Sequence, residues 1–91
     1  MLNFEWDPKK AQSNLDKHGV AFEEAATVFG DPLSLTIGDP DHSEGEERFI
    51  LLGQAITNRL IVVVHIEQHD RIRIISARMA TKQENRTYEE G

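Results

Sequence analysis

The chain has 91 residues, 38% of them hydrophobic, which supports one domain spanning 1–91 with one modest core; it has no cysteine, so disulfides and thiolate metal sites are excluded. No run approaches membrane-spanning length and MLNFEWDPKK lacks an apolar signal region, so a cytoplasmic protein with no membrane contact is expected. The net charge of −6 argues against indiscriminate nucleic-acid binding, yet residues 1–47 hold eleven acids and three lysines, whereas residues 48–91 hold five acids and seven basic residues.

Phe4 and Trp6 alternate with Asn3 and Glu5, which predicts a short first strand. Asp7-Pro8 then starts a helix, the aspartate offering a cap oxygen and the proline suiting the first turn. That helix runs through Ala11 and Leu15 to Gly19, which can take the left-handed closing conformation. Val20, Phe22, Ala25, Ala26, Val28 and Phe29 mark a second, amphipathic helix, ended by Gly30-Asp31-Pro32. Leu33 to Ile37 reads as a strand. Gly38 to Glu47, GDPDHSEGEE, reads as a solvated acidic loop. Its D-x-D-x-S opening is that of a calcium loop, but Glu44 stands at the glycine position and Ile50 at that of the bidentate carboxylate, so no metal site is expected. Arg48 to Gln54 reads as another strand, turning through Thr57-Asn58.

The richest stretch is Leu60 to Arg78, LIVVVHIEQHDRIRIISAR, two β-forming runs around a polar break. Alternation puts His65 and Glu67 on one face of the first run, with Val62, Val64 and Ile66 on the other. An odd-length loop centred on His69 would set Glu67 opposite Arg71 and His65 opposite Arg73. The inference is a hairpin with an imidazole, a carboxylate and two guanidiniums on one open face, its fully apolar face lying under the two helices. Guanidiniums bind phosphate oxygens through a planar fork, and imidazole or carboxylate moves protons near neutrality. Such a set suits cleavage of a phosphodiester. The plainer account is a ladder of exposed ion pairs, each worth a fraction of a kcal/mol. Thr81-Lys82-Gln83-Glu84 is a capping box that opens a short C-terminal helix with few apolar residues, expected to dock loosely. These elements make an α+β fold: two N-terminal helices packed on a mainly antiparallel sheet, with a short closing helix.

FEWDPKKAQSNLDKHGVAFEEAATVF, ERFILLG, RLIVVVHIE and DRIRIISARMATKQENRTYEE, in this order, resemble the BrnT family of toxins from bacterial type II toxin–antitoxin pairs, over nearly the whole chain from Phe4 to Glu90. WDPKKAQSN, KHGV and RIRIISAR together carry the likeness. The resemblance implies a RelE-like fold, endoribonuclease activity without metal or other cofactor, and a tightly bound cognate antitoxin of BrnA type. That antitoxin would carry the DNA-binding domain, so a hetero-oligomer would reach operator DNA only through it. The implied catalytic residues are Arg48, His65, Glu67, Arg73 and Arg78, with Lys17 and His18 as RNA contacts. Arg78 has the wrong parity for the hairpin face and would act from beyond the strand end. Arg71, at the hairpin tip, is expected to pair with Glu67 and to lie within reach of RNA. Ala21 departs from the family, which commonly has a serine-type cap there. The rival reading is a non-catalytic module that acts only by binding its antitoxin, its arginines serving as docking contacts.

Overall fold

The computed structural model describes residues 2–38 and 47–91, so the acidic loop expected over 38–47, with His42 in it, lies outside the described residues except for its ends. The elements are β1 (Asn3–Glu5), α1 (Pro8–His18), α2 (Phe22–Thr27) with a 3-10 turn at Val28–Gly30, β2 (Leu35–Gly38), β3 (Arg48–Gln54), β4 (Leu60–Gln68), β5 (Arg71–Met79) and α3 (Lys82–Glu90). They build a five-stranded sheet in the order β1-β5-β4-β3-β2. Every neighbouring pair is antiparallel except β1 with β5. This is the α+β arrangement expected. Among the described residues no helix is long and apolar enough to cross a membrane.

Local chemistry accounts for the helix ends. The Asp7 carboxylate accepts from the Lys9 amide at 2.8 Å, Pro8 occupies the first turn, and Gly19 closes α1 at φ 69° with its N–H on the Leu15 carbonyl. The second helix is shorter than the apolar pattern suggested. Ala21 has no side-chain oxygen to cap it, and the chain tightens into a 3-10 turn at Val28 before Pro32. Trp6 lies just past β1 and packs its ring edge-on against Phe22, 5.9 Å between centroids.

The core lies between α1–α2 and one face of the sheet, here the inner face. Val20, Phe22, Ala25 and Val28 meet Leu51, Ile61, Val63, Ile74 and Ala77, all buried. Complete burial of a side chain as large as Phe22 contributes about 2–3 kcal/mol. Two polar side chains are buried in this layer, His65 and Asn14, and the second completes the sheet edge. β1 pairs with β5 only along Arg71–Arg73, so the rest of that strand edge needs another partner, and Asn14 supplies it. Its amide accepts from the Ala77 N–H at 3.1 Å and donates to the Ala77 carbonyl at 2.8 Å and the Val20 carbonyl at 2.9 Å. A side-chain amide thus stands in for a neighbouring strand's peptide group.

The opposite, outer face carries α3, which has no buried residue of its own. Polar links hold it. Thr81 and Glu84 form the expected capping box, Glu84 grips Arg78, and the Tyr88 hydroxyl donates to Asp31 at 2.6 Å. Burial pushes the Asp31 carboxyl up, but hydrogen bonds from Tyr88 and the Gln54 and Leu33 amides outweigh it, so its pKa is lowered.

Candidate active site

Two features decide which residues of the β4–β5 hairpin share a face. The connection has two residues, His69-Asp70, with His69 at φ 51°, not an odd number centred on His69. Glu67 therefore pairs with Ile72, His65 with Ile74, Ile66 with Arg73 and Gln68 with Arg71. A β-bulge follows: Val64 pairs with Ser76, leaving Ile75 as an extra residue. Past it, Val63 pairs with Ala77 and Val62 with Arg78.

The expected convergence of His65 and Glu67 with Arg71 and Arg73 on one face is thus corrected. His65 and Glu67 lie on the inner face with Ile61 and Val63, under the helical layer. Arg71 and Arg73 lie on the outer face. The bulge carries Ser76 and Arg78 to that same outer face, so Arg78 needs no position beyond the strand end. Arg48 joins them, since it pairs with Ile66.

The outer face contains an acid that the face count missed. Glu5 is in register with Arg73, Arg73 with Ile66, and Ile66 with Arg48. The cross-strand row therefore reads Glu5, Arg73, Ile66, Arg48 across four strands. Arg71 Nη1 lies 3.2 Å from Glu5 Oε1. Arg48 has its Nε buried with no hydrogen-bond partner among the described residues. Further along the same face, Arg78 holds Glu84 through two bonds of 2.8 and 2.9 Å. The Arg78 guanidinium draws the Glu84 carboxyl down to about 2, and the carboxylate raises the arginine in turn.

His65 is 1% exposed. Its ring lies edge-on to Phe29 with centroids 4.8 Å apart and stacks on Phe49 at 5.7 Å. Nε2 sits 2.9 Å from Glu67 Oε2, whereas Nδ1 is buried with no partner among the described residues. The carboxylate fixes the tautomer, with Nε2–H donating to it. Only Glu67, about half exposed, presents this pair to solvent. Lys17 and His18 lie elsewhere again, in a crevice of about 190 Å³ between α1 and β5 that Lys10, Ser13, Asn14, Ile75 and Ser76 complete. Arg59, which flanks a turn and had nothing in the sequence to recommend it, proves structural. Its guanidinium takes both Glu24 carboxylate oxygens at 2.6 and 2.8 Å and donates to the Gly19 carbonyl at 2.8 Å.

A family profile described as "Ribonuclease toxin, BrnT, of type II toxin-antitoxin system" matches residues 6–84. The chain belongs to the BrnT family. Among solved structures, the crystal structure of the Brucella abortus ribonuclease toxin BrnT superposes with a TM-score of 0.65 at 21% identity, covering 90% of this chain and 100% of that one. At that identity the likeness speaks to the fold. A search of curated proteins finds no match.

Membership brings an RNA substrate and an antitoxin partner with it. For a BrnT-family chain, the outer-face row offers what phosphodiester chemistry asks for: an accessible carboxylate beside forked cations. Signals for it were present in the residues. The doubled Ile74-Ile75 breaks strict alternation and marks the bulge, after which Ser76 and Arg78 are the polar positions. Glu5 gave no comparable signal, because its neighbours come from a strand 66 residues away in sequence.

Proposed function

We propose that this BrnT-family chain is an endoribonuclease that cuts RNA on the outer sheet face without a metal, by attack of a ribose 2′-hydroxyl on the adjacent phosphate. One observation carries this reading: Glu5, Arg73 and Arg48 occupy a single cross-strand row, with Arg71 bonded to Glu5. Glu5 accepts the 2′-hydroxyl proton as the oxygen–phosphorus bond forms. Arg73 and Arg48 hold the non-bridging oxygens as charge builds on the pentavalent phosphorus. The bond to the 5′ oxygen then breaks, leaving a cyclic 2′,3′-phosphate, and the departing oxygen takes a proton from water. Arg71 orients the carboxylate and contacts the neighbouring backbone. Arg78 extends the cationic face where Glu84 releases it. The guanidiniums supply the positive charge that a metal ion would otherwise bring.

A second base is supported by a separate observation, the 2.9 Å contact that backs Glu67 with His65 on the inner face. Cleavage of a defined RNA in chelator separates the two. Glu5→Gln is expected to lower the single-turnover rate by at least about 10²-fold, typical of removing a general base. Glu67→Gln is expected to keep most of the rate. The reverse pattern moves the base to the inner face. Arg73→Ala should cost about 10²–10³-fold, and undiminished cleavage by that variant, correctly folded, removes the outer-face mechanism.

The partner follows the same reading. A cytoplasmic cognate antitoxin of BrnA type, bearing a DNA-binding domain, would neutralise the toxin in a hetero-oligomer and carry it to operator DNA. An acidic antitoxin segment would complement the arginine row. Arg48→Glu should therefore weaken antitoxin affinity in a titration, and an unchanged affinity places the contact elsewhere.

A further inference from the structure

The crevice between α1 and β5 is outside the proposed reaction, and its chemistry is one-sided. Lys10, Ser13, Asn14 and Lys17 recur at the spacing of one helix face, with His18 beside them. Lys10 and Lys17 are two turns apart, about 10 Å along the axis. Asn14 is engaged by Ala77 and Val20, so among the described residues Ser13, His18 and the two lysines are the donors left to a ligand. Among the described residues no carboxylate lines the crevice. Neither lysine has an ion-pair partner among the described residues. The opposite wall is Ile75, the bulge residue, and Ser76. At about 190 Å³, against about 30 Å³ for each water in the liquid, the space holds a phosphate with part of a ribose.

Its position relates it to the arginine row. Ser76 belongs both to the crevice and to the outer face, three residues beyond Arg73. β1 stops at Glu5, opposite Arg73, so no strand among the described residues covers this part of the β5 edge. A chain leaving the row in this direction meets Ser76 and then the two lysines. We infer that the α1–β5 crevice is a second, sequence-independent phosphate seat, which holds the backbone of single-stranded RNA one or a few nucleotides away from the bond that is cut. The inference rests on the reading of the chain as an RNA-cutting enzyme, but it concerns binding, and can fail separately.

The test measures binding of a short single-stranded RNA, 2′-O-methylated throughout so that it cannot be cut, to the full chain over a range of salt concentrations. Lys10→Gln/Lys17→Gln is expected to bind it at least roughly tenfold more weakly, as for removal of charged hydrogen bonds. Its plot of log affinity against log salt should be shallower by about 0.7 for each phosphate no longer neutralised. Lys82→Gln/Arg86→Gln removes two positive charges on α3 and should change both quantities far less. Circular dichroism confirms the fold of each. Equal effects from the two double variants overturn the proposal, because bulk charge then suffices. Unchanged RNA binding by Lys10→Gln/Lys17→Gln also overturns it; if antitoxin affinity falls instead, the crevice is a protein-docking site. Failure of the wild type to cut unmodified RNA in chelator while the binding differences persist would reject the cleavage mechanism and leave the phosphate seat standing.

Discussion

Replacing Asn14 by alanine removes three hydrogen bonds at once and leaves their partners, on two buried residues, unpaired. The Ala77 N–H, the Ala77 carbonyl and the Val20 carbonyl all bond to this one amide, and Ala77 and Val20 are 1% and 0% exposed. Each bond contributes about 1 kcal/mol net, and each buried orphan costs about 1–3 kcal/mol. Partial relaxation of the strand edge brings the expected loss to about 3–5 kcal/mol, a large part of the 5–15 kcal/mol typical of a whole domain. With a urea dependence of roughly 1.5 kcal/mol/M for a chain of this size, the unfolding midpoint should fall by roughly 2–3 M. Asn14→Asp sharpens the test. It preserves shape and the acceptor for Ala77 N–H, yet sets a carboxylate against two carbonyl oxygens, so at neutral pH it should cost at least as much as alanine. A midpoint within roughly 0.5 M of wild type for either variant, at unchanged slope, would refute the claim that Asn14 completes the β5 edge.

The Arg78–Glu84 pair makes stability depend on acid. The folded carboxyl sits at about 2 against an ordinary 4.5, so its contribution is complete above pH 4.5 and is lost as pH falls toward 2. The pair is partly solvated, with the two side chains 43% and 29% exposed, which screens it to about 1 kcal/mol; Glu84→Gln should unfold more easily by that amount at pH 7 and give a flatter profile between pH 4.5 and 2, whereas an equally steep acid profile would assign the loss to other carboxylates. Arg59→Ala should cost about 2 kcal/mol, because the Glu24 carboxylate, only 13% exposed, loses its forked partner and the Gly19 carbonyl its donor. Lysine at that position should not restore stability, since it cannot make the two-pronged contact; thermal melts comparing the three proteins check this, and a lysine variant as stable as wild type would show that charge alone suffices.

What could be read directly from the residues was local. Asp7-Pro8 and Gly19 bracket α1, the Thr81–Glu84 box starts α3, and the bounds of β3 follow from its apolar run, because each depends on neighbours within a few positions. The choice of face for the hairpin depended instead on one residue of loop length and one of bulge, and period-two alternation inverts with each. That is why alternation alone sets His65 and Glu67 on the open face, although they lie on the inner one, with His65 buried. It is also why it sets Arg78 apart from Arg73, although the two share a face. The Arg59–Glu24, Asn14–Ala77 and Glu5–Arg71 contacts join residues 35 to 66 positions apart, a range over which spacing carries no information. His69 is in the turn, as expected, and exposed.

The supernumerary Ile75 has a consequence for how the hairpin tolerates change in length. Because it is the one position of β5 outside the pairing ladder, excising it would restore an unbroken pleat and leave Ile72, Ile74 and Ala77 inward with Arg73, Ser76 and Arg78 outward. β4 holds no such spare, since every residue from Ile61 to Gln68 is paired with β5. Excising one of its central residues would throw the two halves of that strand out of phase, turning either Ile61 and Val63 or His65 and Glu67 away from the helices. Shortening by that residue thus preserves the register of one arm of the hairpin, whereas shortening the other arm destroys it.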